Sequence, residues 1–88
     1  MKIEISQENL GTLCVCAIRY CYIRRTYMTS FIQKIVRGHL SELSNETVSV
    51  MVEDCEYQRT LGLYGDDQID KHGWLKWEQS VLDELEKR

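Results

Sequence analysis

The apolar positions of this chain recur at helical intervals over most of its length. Leu10, Leu13, Cys14, Ala17, Ile18 and Cys21 follow a three-to-four-residue spacing, the stripe of an amphipathic helix. Ser6 stands where a side-chain oxygen accepts a free first-turn N–H, and Glu8 suits the positive end of the helix dipole. Val15, Tyr22 and Ile23 lie off that stripe, so this helix is apolar on more than one side and is expected to be central. It should end near Arg24 or Arg25, whose cations complement the negative dipole end. Thr26 or Thr29 then caps a second helix with Phe31, Ile32, Ile35, Val36 and Leu40 (or His39) as its apolar face. Gly38 weakens the last turn by about 1 kcal/mol relative to Ala. Ser44 and Glu46 open a third helix, along which Val48, Met51, Val52, Cys55 and Arg59 share one side, and Gly62 is a stop signal. After a glycine- and acid-rich loop, Asp70 caps a last helix carrying Trp74, Leu75, Trp77 or Glu78, Val81, Leu82 and Leu85. Ile3 and Ile5 alternate with polar residues, which suits a short extended N-terminal segment. These patterns predict an all-α fold: a compact bundle of three to four short helices forming one domain over residues 1–88.

Composition narrows the class without naming a function. The chain is 88 residues long with 43% hydrophobic and 28% charged residues, an ordinary globular balance and not that of a disordered segment. No apolar run approaches the roughly 18 residues that span a bilayer, and the start of the chain lacks a signal peptide's apolar stretch, so a cytoplasmic location is expected.

Charge is distributed unevenly. Residues 1–44 hold six basic and three acidic groups, whereas residues 45–88 hold five basic and eleven acidic ones, and no carboxylate lies between Asn9 and Ser41. A basic, acid-free face suits phosphates or an acidic partner surface. The competing reading is that the two halves fold together and neutralise each other.

Among residue types that carry chemistry, Cys14, Cys16 and Cys21 cluster while Cys55, His39 and His72 stand apart. Zinc ligands usually come as C-x₂₋₄-C on a turn, but here the spacing is C-x-C inside a helical pattern, with Cys16 pointing away from Cys14. Buried, small apolar thiols are the simpler account, and no metal or other cofactor is expected. Asp66, Asp67 and Asp70 follow Gly65 but fail the ligand count of a calcium loop. No nucleophile elbow, phosphate loop or HExxH pattern is present, which argues against an enzyme.

The most distinctive stretch interleaves Arg19, Tyr20, Tyr22, Arg24, Arg25 and Tyr27. Guanidinium forks and tyrosine rings suit nucleic-acid backbones, protein hot spots or an internal network in which Arg19 or Arg24 pairs with Asp54 or Glu56. The run Cys16-Ala17-Ile18-Arg19-Tyr20 followed by Arg24-Arg25-Thr26-Tyr27-Met28 resembles small, largely uncharacterised proteins carried by bacteriophages, prophages and plasmids. Those typically read Ala-Leu-Arg-Tyr-Ala-Leu-Gly-Arg-Arg-Thr-Tyr, continue into an acidic segment like Val52–Glu56, and then carry a Tyr-Gly-Asp…Asp…Trp stretch like Tyr64 to Trp74. The resemblance covers residues 14–85, departs from the pattern at Cys21-Tyr22-Ile23, and implies an accessory protein of a mobile element acting inside the bacterial host.

The expectation that follows is a non-enzymatic protein-interaction module. Its acidic surface (Glu53, Asp54, Glu56, Asp66, Asp67, Asp70) would bind a basic channel of a host or phage protein, as an anti-CRISPR-like inhibitor of a host defence nuclease does. One alternative is a nucleic-acid-binding regulator using Arg24, Arg25, Lys34 and Arg37. Another is a small homo-oligomeric phage component.

Overall fold

A computed structural model describes residues 5–24, 29–61 and 73–88. It contains α1 (Gln7–Arg24), α2 (Thr29–Arg37), α3 (Asn45–Thr60) and α4 (Trp74–Lys87), with a single 3-10 turn, Leu40–Glu42, leading into α3. Helix accounts for 87% of the described residues and no strand occurs among them, so the all-α bundle is the fold. The expected extended segment at residues 1–4, the Gly62 stop and the Asp70 cap lie outside the described residues.

Local chemistry sets the helix starts. Ser6 Oγ accepts the Asn9 backbone N–H at 3.1 Å, and Ser44 Oγ accepts that of Thr47 at 3.1 Å, so two of the expected caps are in place. α4 begins differently. Its preceding residue is Gly73, at φ 75° and ψ 13°, without a side-chain cap. That left-handed conformation favours glycine, and a Cβ there would also lie 2.7 Å from Gln33 Oε1.

The helices occupy the corners of a bundle. α1 packs on α2 and α3, and α4 packs on α2 and α3. The α1–α2 side therefore lies opposite the α3–α4 side. α1 and α3 run parallel, since Gly11 faces Thr47 and, further along both helices, Arg19 reaches Asp54. α3 and α4 run antiparallel, since Arg59 bonds Glu78 while Arg88 bonds Asn45.

The core is aromatic at its centre. Tyr22 from α1 and Trp74 from α4 stack with ring centroids 4.4 Å apart, and Tyr22 Oη lies 3.7 Å from Cys55 Sγ of α3. Trp77, Val81, Ile18, Val48, Met51, Leu40 and Leu43 close round them, all buried. In α3 the expected stripe of Val48, Met51 and Cys55 is the buried one.

In α2 the expected apolar face is buried only in part: Val36 and Leu40 are in the core and Ile32 packs against it, but Phe31 and Ile35 do not. The nine-residue helix turns Thr29, Gln33 and Val36 inward, while Phe31 and Ile35 are 56% and 49% exposed. The reason is its corner position: Gln33 must meet the Gly73 turn that starts α4, and this sets the rotation of the helix. Leu13 of α1 and Leu75, Leu82 and Leu85 of α4 are likewise at the surface.

Two contacts hold the end of the bundle where α3 begins. A Cβ on Gly11 would lie 2.5 Å from Thr47 Oγ1 and 3.1 Å from its Cγ2, so the absence of a side chain lets α1 and α3 approach. Thr47 cannot turn aside freely, because its hydroxyl bonds Ser44 Oγ at 2.9 Å. At the opposite edge, Arg88 Nη1 donates to Leu43 O at 2.6 Å and Asn45 Oδ1 at 2.8 Å, Nη2 to Leu40 O at 2.8 Å, and Nε to Glu84 Oε2 at 3.2 Å. One guanidinium thus ties the end of α4 to the chain entering α3.

Gly11→Ala should gain about 1 kcal/mol of helix propensity but lose about 1–3 kcal/mol to overpacking, for a net loss. In a Thr47→Ala background the same change should become stabilising by several tenths of a kcal/mol up to about 1. Urea denaturation of the four-member cycle reads the sign reversal. Arg88→Ala should cost about 1.5–3 kcal/mol, the range for hydrogen bonds to a charged group, and Arg88→Lys should recover only a minor part, since an ammonium cannot span the same acceptors.

Candidate functional site

Three surface features carry chemistry: the Arg19–Asp54 pair, the outer ridge of α3, and the α1–α2 face.

Arg19 leaves α1 on the side facing α3. Its Nε donates to Asp54 Oδ2 at 2.8 Å and its Nη2 to Oδ1 at 3.1 Å, a bidentate fork. Bonding to this carboxylate, and then its charge, raise the Arg19 pKa further above its ordinary value. The Arg19 side chain remains 56% exposed, so the pair contributes at most about 1 kcal/mol; its geometry fixes the register of α1 on α3 more than it stabilises the fold. This is the internal pairing foreseen for Arg19. It commits the charges of Arg19 and Asp54 to each other.

The pair closes one end of an open groove of about 590 Å³ between α1 and α3, lined by Glu8, Gly11, Cys16, Arg19, Glu46 and Thr47 among others. Cys16 is the exposed thiol of the described chain; Cys14, Cys21 and Cys55 are buried, and none of the four is in a disulfide. Burial pushes the Cys14 thiol up, with Glu42 adding to the effect, and burial does the same to Cys21 against an opposing hydrogen bond with Thr29. These two thiols stay protonated and are poor nucleophiles.

On α3, Glu53 and Glu56 are exposed, with Glu46 about two and about three turns before them and Tyr57 directly after Glu56. No Lys or Arg occurs in α3 before Arg59, and Arg59 is engaged by Glu78 across the α3–α4 groove. Glu46, Glu53 and Glu56 therefore form a carboxylate ridge with no cation on its own helix to neutralise it, extending about 15 Å at 1.5 Å per residue. Of the six acidic residues singled out in the sequence, Glu53 and Glu56 belong to this ridge, Asp54 is neutralised by Arg19, and Asp66, Asp67 and Asp70 lie outside the described residues. Glu46 extends the ridge; its position seven residues before Glu53 was the signal for it.

The basic candidates do not share one face. Arg24 and Lys34 are exposed and make no ion pair among the described residues. Arg37 is half-buried over α4, where it lines a cavity with Ser80, Asp83 and Glu84. Arg25 and Tyr27 lie outside the described residues. Tyr20 is 54% exposed on the outer side of α1.

No family model matches the sequence, no curated protein is significantly similar to it, and no solved structure matches its fold. The functional reading therefore rests on these surfaces. Under native conditions one thiol in four, Cys16, should react rapidly with a maleimide; Cys14, Cys21 and Cys55 should react only after denaturation, and mass spectrometry of partially labelled protein assigns the sites.

Proposed function

We propose that this chain is a non-enzymatic protein-interaction module of a mobile genetic element, and that its α3 ridge occupies a basic, nucleic-acid-binding channel of a host defence nuclease. The observation that supports this most is the run of Glu46, Glu53 and Glu56 along one exposed helix edge, with Arg19 and Arg59 committed to Asp54 and Glu78. Clustered carboxylates strengthen the negative potential over the ridge, and a basic channel attracts such a surface while repelling a positively charged one. Tyr57, 62% exposed at the end of the ridge, supplies the kind of aromatic anchor that such contacts use.

The nucleic-acid regulator is less well supported. It needs Arg24, Arg25, Lys34 and Arg37 on one face; Arg37 is directed over α4, and Arg25 lies outside the described residues.

Plasmid cleavage by a panel of purified RNA-guided and restriction nucleases, with the protein in molar excess, tests the proposal. At least one nuclease should be inhibited. The Glu46→Lys/Glu53→Lys/Glu56→Lys variant should raise the half-inhibitory concentration at least tenfold with unchanged far-UV circular dichroism, and Arg24→Ala should leave it unchanged. Inhibition indifferent to the charge reversal, or a salt-sensitive shift of duplex DNA by the protein alone, overturns the reading.

A further inference from the structure

The α3 ridge leaves the opposite side of the bundle unexplained. There α1 and α2 present Leu13, Tyr20, Phe31 and Ile35, each between 49% and 56% exposed. The two helices are joined by four residues and run antiparallel, with Cys21 beside Thr29 near the connection. On α1, Leu13, Ala17, Tyr20 and Arg24 follow the i, i+4, i+7, i+11 spacing of one face; on α2, Phe31 and Ile35 are one turn apart. Counting outward from the Cys21–Thr29 contact sets Phe31 level with Tyr20, and Ile35 level with the stretch between Leu13 and Ala17. The four apolar side chains thus make one patch spanning the α1–α2 seam, roughly 400 Å² of exposed apolar area, a size at which such patches on monomers are often functional.

Among the described residues its rim has one sign. Arg24 and Lys34 flank the patch, exposed and without an ion pair among the described residues. Neither helix carries a carboxylate on this side: Glu8, the sole acid of α1 and α2, lines the groove towards α3. An isologous pairing of two copies through this patch would set Arg24 and Lys34 against their own equivalents, which like-charge repulsion disfavours. Two flanking cations are also few for a lipid-surface site, where each contributes about 1 kcal/mol. The patch is about two helical turns long and presents paired apolar anchors on either side of a seam, which matches the apolar stripe of a docked helix.

We propose that the α1–α2 face binds an amphipathic helix of a partner protein, one whose apolar stripe seats on Leu13, Tyr20, Phe31 and Ile35 and whose flanking carboxylates meet Arg24 and Lys34. This site is separate from the α3 ridge and stands whether or not the ridge binds a nuclease.

The test uses two synthetic 16-residue helical peptides with leucines at i, i+3, i+4 and i+7, one flanked by glutamates and the other by lysines, titrated into the ¹⁵N-labelled full chain. The glutamate peptide should bind with a micromolar Kd, shift the amides around Tyr20 and Phe31, and bind at least tenfold more tightly than the lysine peptide at low salt. Phe31→Ser/Ile35→Ser should weaken it at least tenfold. Both residues are surface-exposed, so this variant should keep its fold, and Arg24→Glu/Lys34→Glu should reverse the preference between the peptides while leaving the apolar patch intact. Equal binding of the two peptides, or shifts that map to α3 and α4, overturns the proposal. So does Phe31-dependent self-association or sedimentation with phosphatidylserine vesicles in place of peptide binding.

Discussion

The stacked pair Tyr22–Trp74, with Trp77 beside it, is the contact on which every helix of this bundle depends. A chain of 88 residues has room for one core, and the two tryptophans fill the centre of it from a single helix. Their indole N–H groups are buried without a hydrogen-bond partner among the described residues. An unsatisfied donor costs about 1–3 kcal/mol. An aromatic side chain of this kind buries about 150–250 Å², worth about 4–6 kcal/mol at 25 cal/mol per Å². Burial outweighs the lost hydrogen bond, so α4 is anchored by its first turn even though it starts on a glycine with no side-chain cap. The Tyr22 ring carries the same anchorage into α1, and its hydroxyl reaches Cys55 of α3.

Contacts between segments far apart in sequence then divide the labour. Arg19–Asp54 and Gly11–Thr47 join α1 to α3 at two heights, one by a charged fork and one by the absence of a side chain. Arg88 joins the end of α4 to the 3-10 turn and to the start of α3. The residues of the Arg-Tyr run thus split: Arg19 pairs across to α3, while Tyr20 and Arg24, one and five positions on, face outward.

The elements legible in the sequence were those decided locally. Ser6 and Ser44 cap as their residue type and the apolar pattern after them dictate, and the α3 stripe is amphipathic enough to leave one orientation. α2 was not legible in this way. Over nine residues, Phe31, Ile32, Ile35 and Val36 read as one apolar face, yet only Val36 is buried and Ile32 half-buried, while Thr29 and Gln33 turn inward, Gln33 against the Gly73 turn before α4. Gly11 and Arg88 were equally silent, since nothing near them in sequence announces Thr47 or the carbonyls of Leu40 and Leu43. The Arg19–Asp54 pairing was readable only as one of several combinations, and geometry selects among them because parallel α1 and α3 bring these two residues level.

The acid-free stretch between Asn9 and Ser41 becomes, in three dimensions, two neighbouring helices on one side of the bundle. Its charge is drawn across to the acidic half through one ion pair among the described residues, that of Arg19; the other pairs, Arg59–Glu78, Arg88–Glu84 and His39–Glu42, are each made within one half. Neutralisation is therefore local, and the sequence asymmetry survives as a spatial one: carboxylates along α3, cations and apolar side chains across α1 and α2. With opposite signs more than a helix diameter apart, and that distance at or above the roughly 8–10 Å Debye length of physiological salt, each face acts on an approaching surface largely independently of the other. The net charge of −3 thus describes neither face. A partner is selected by the potential of the side it meets, which is how so small a core can carry two surfaces with different preferences.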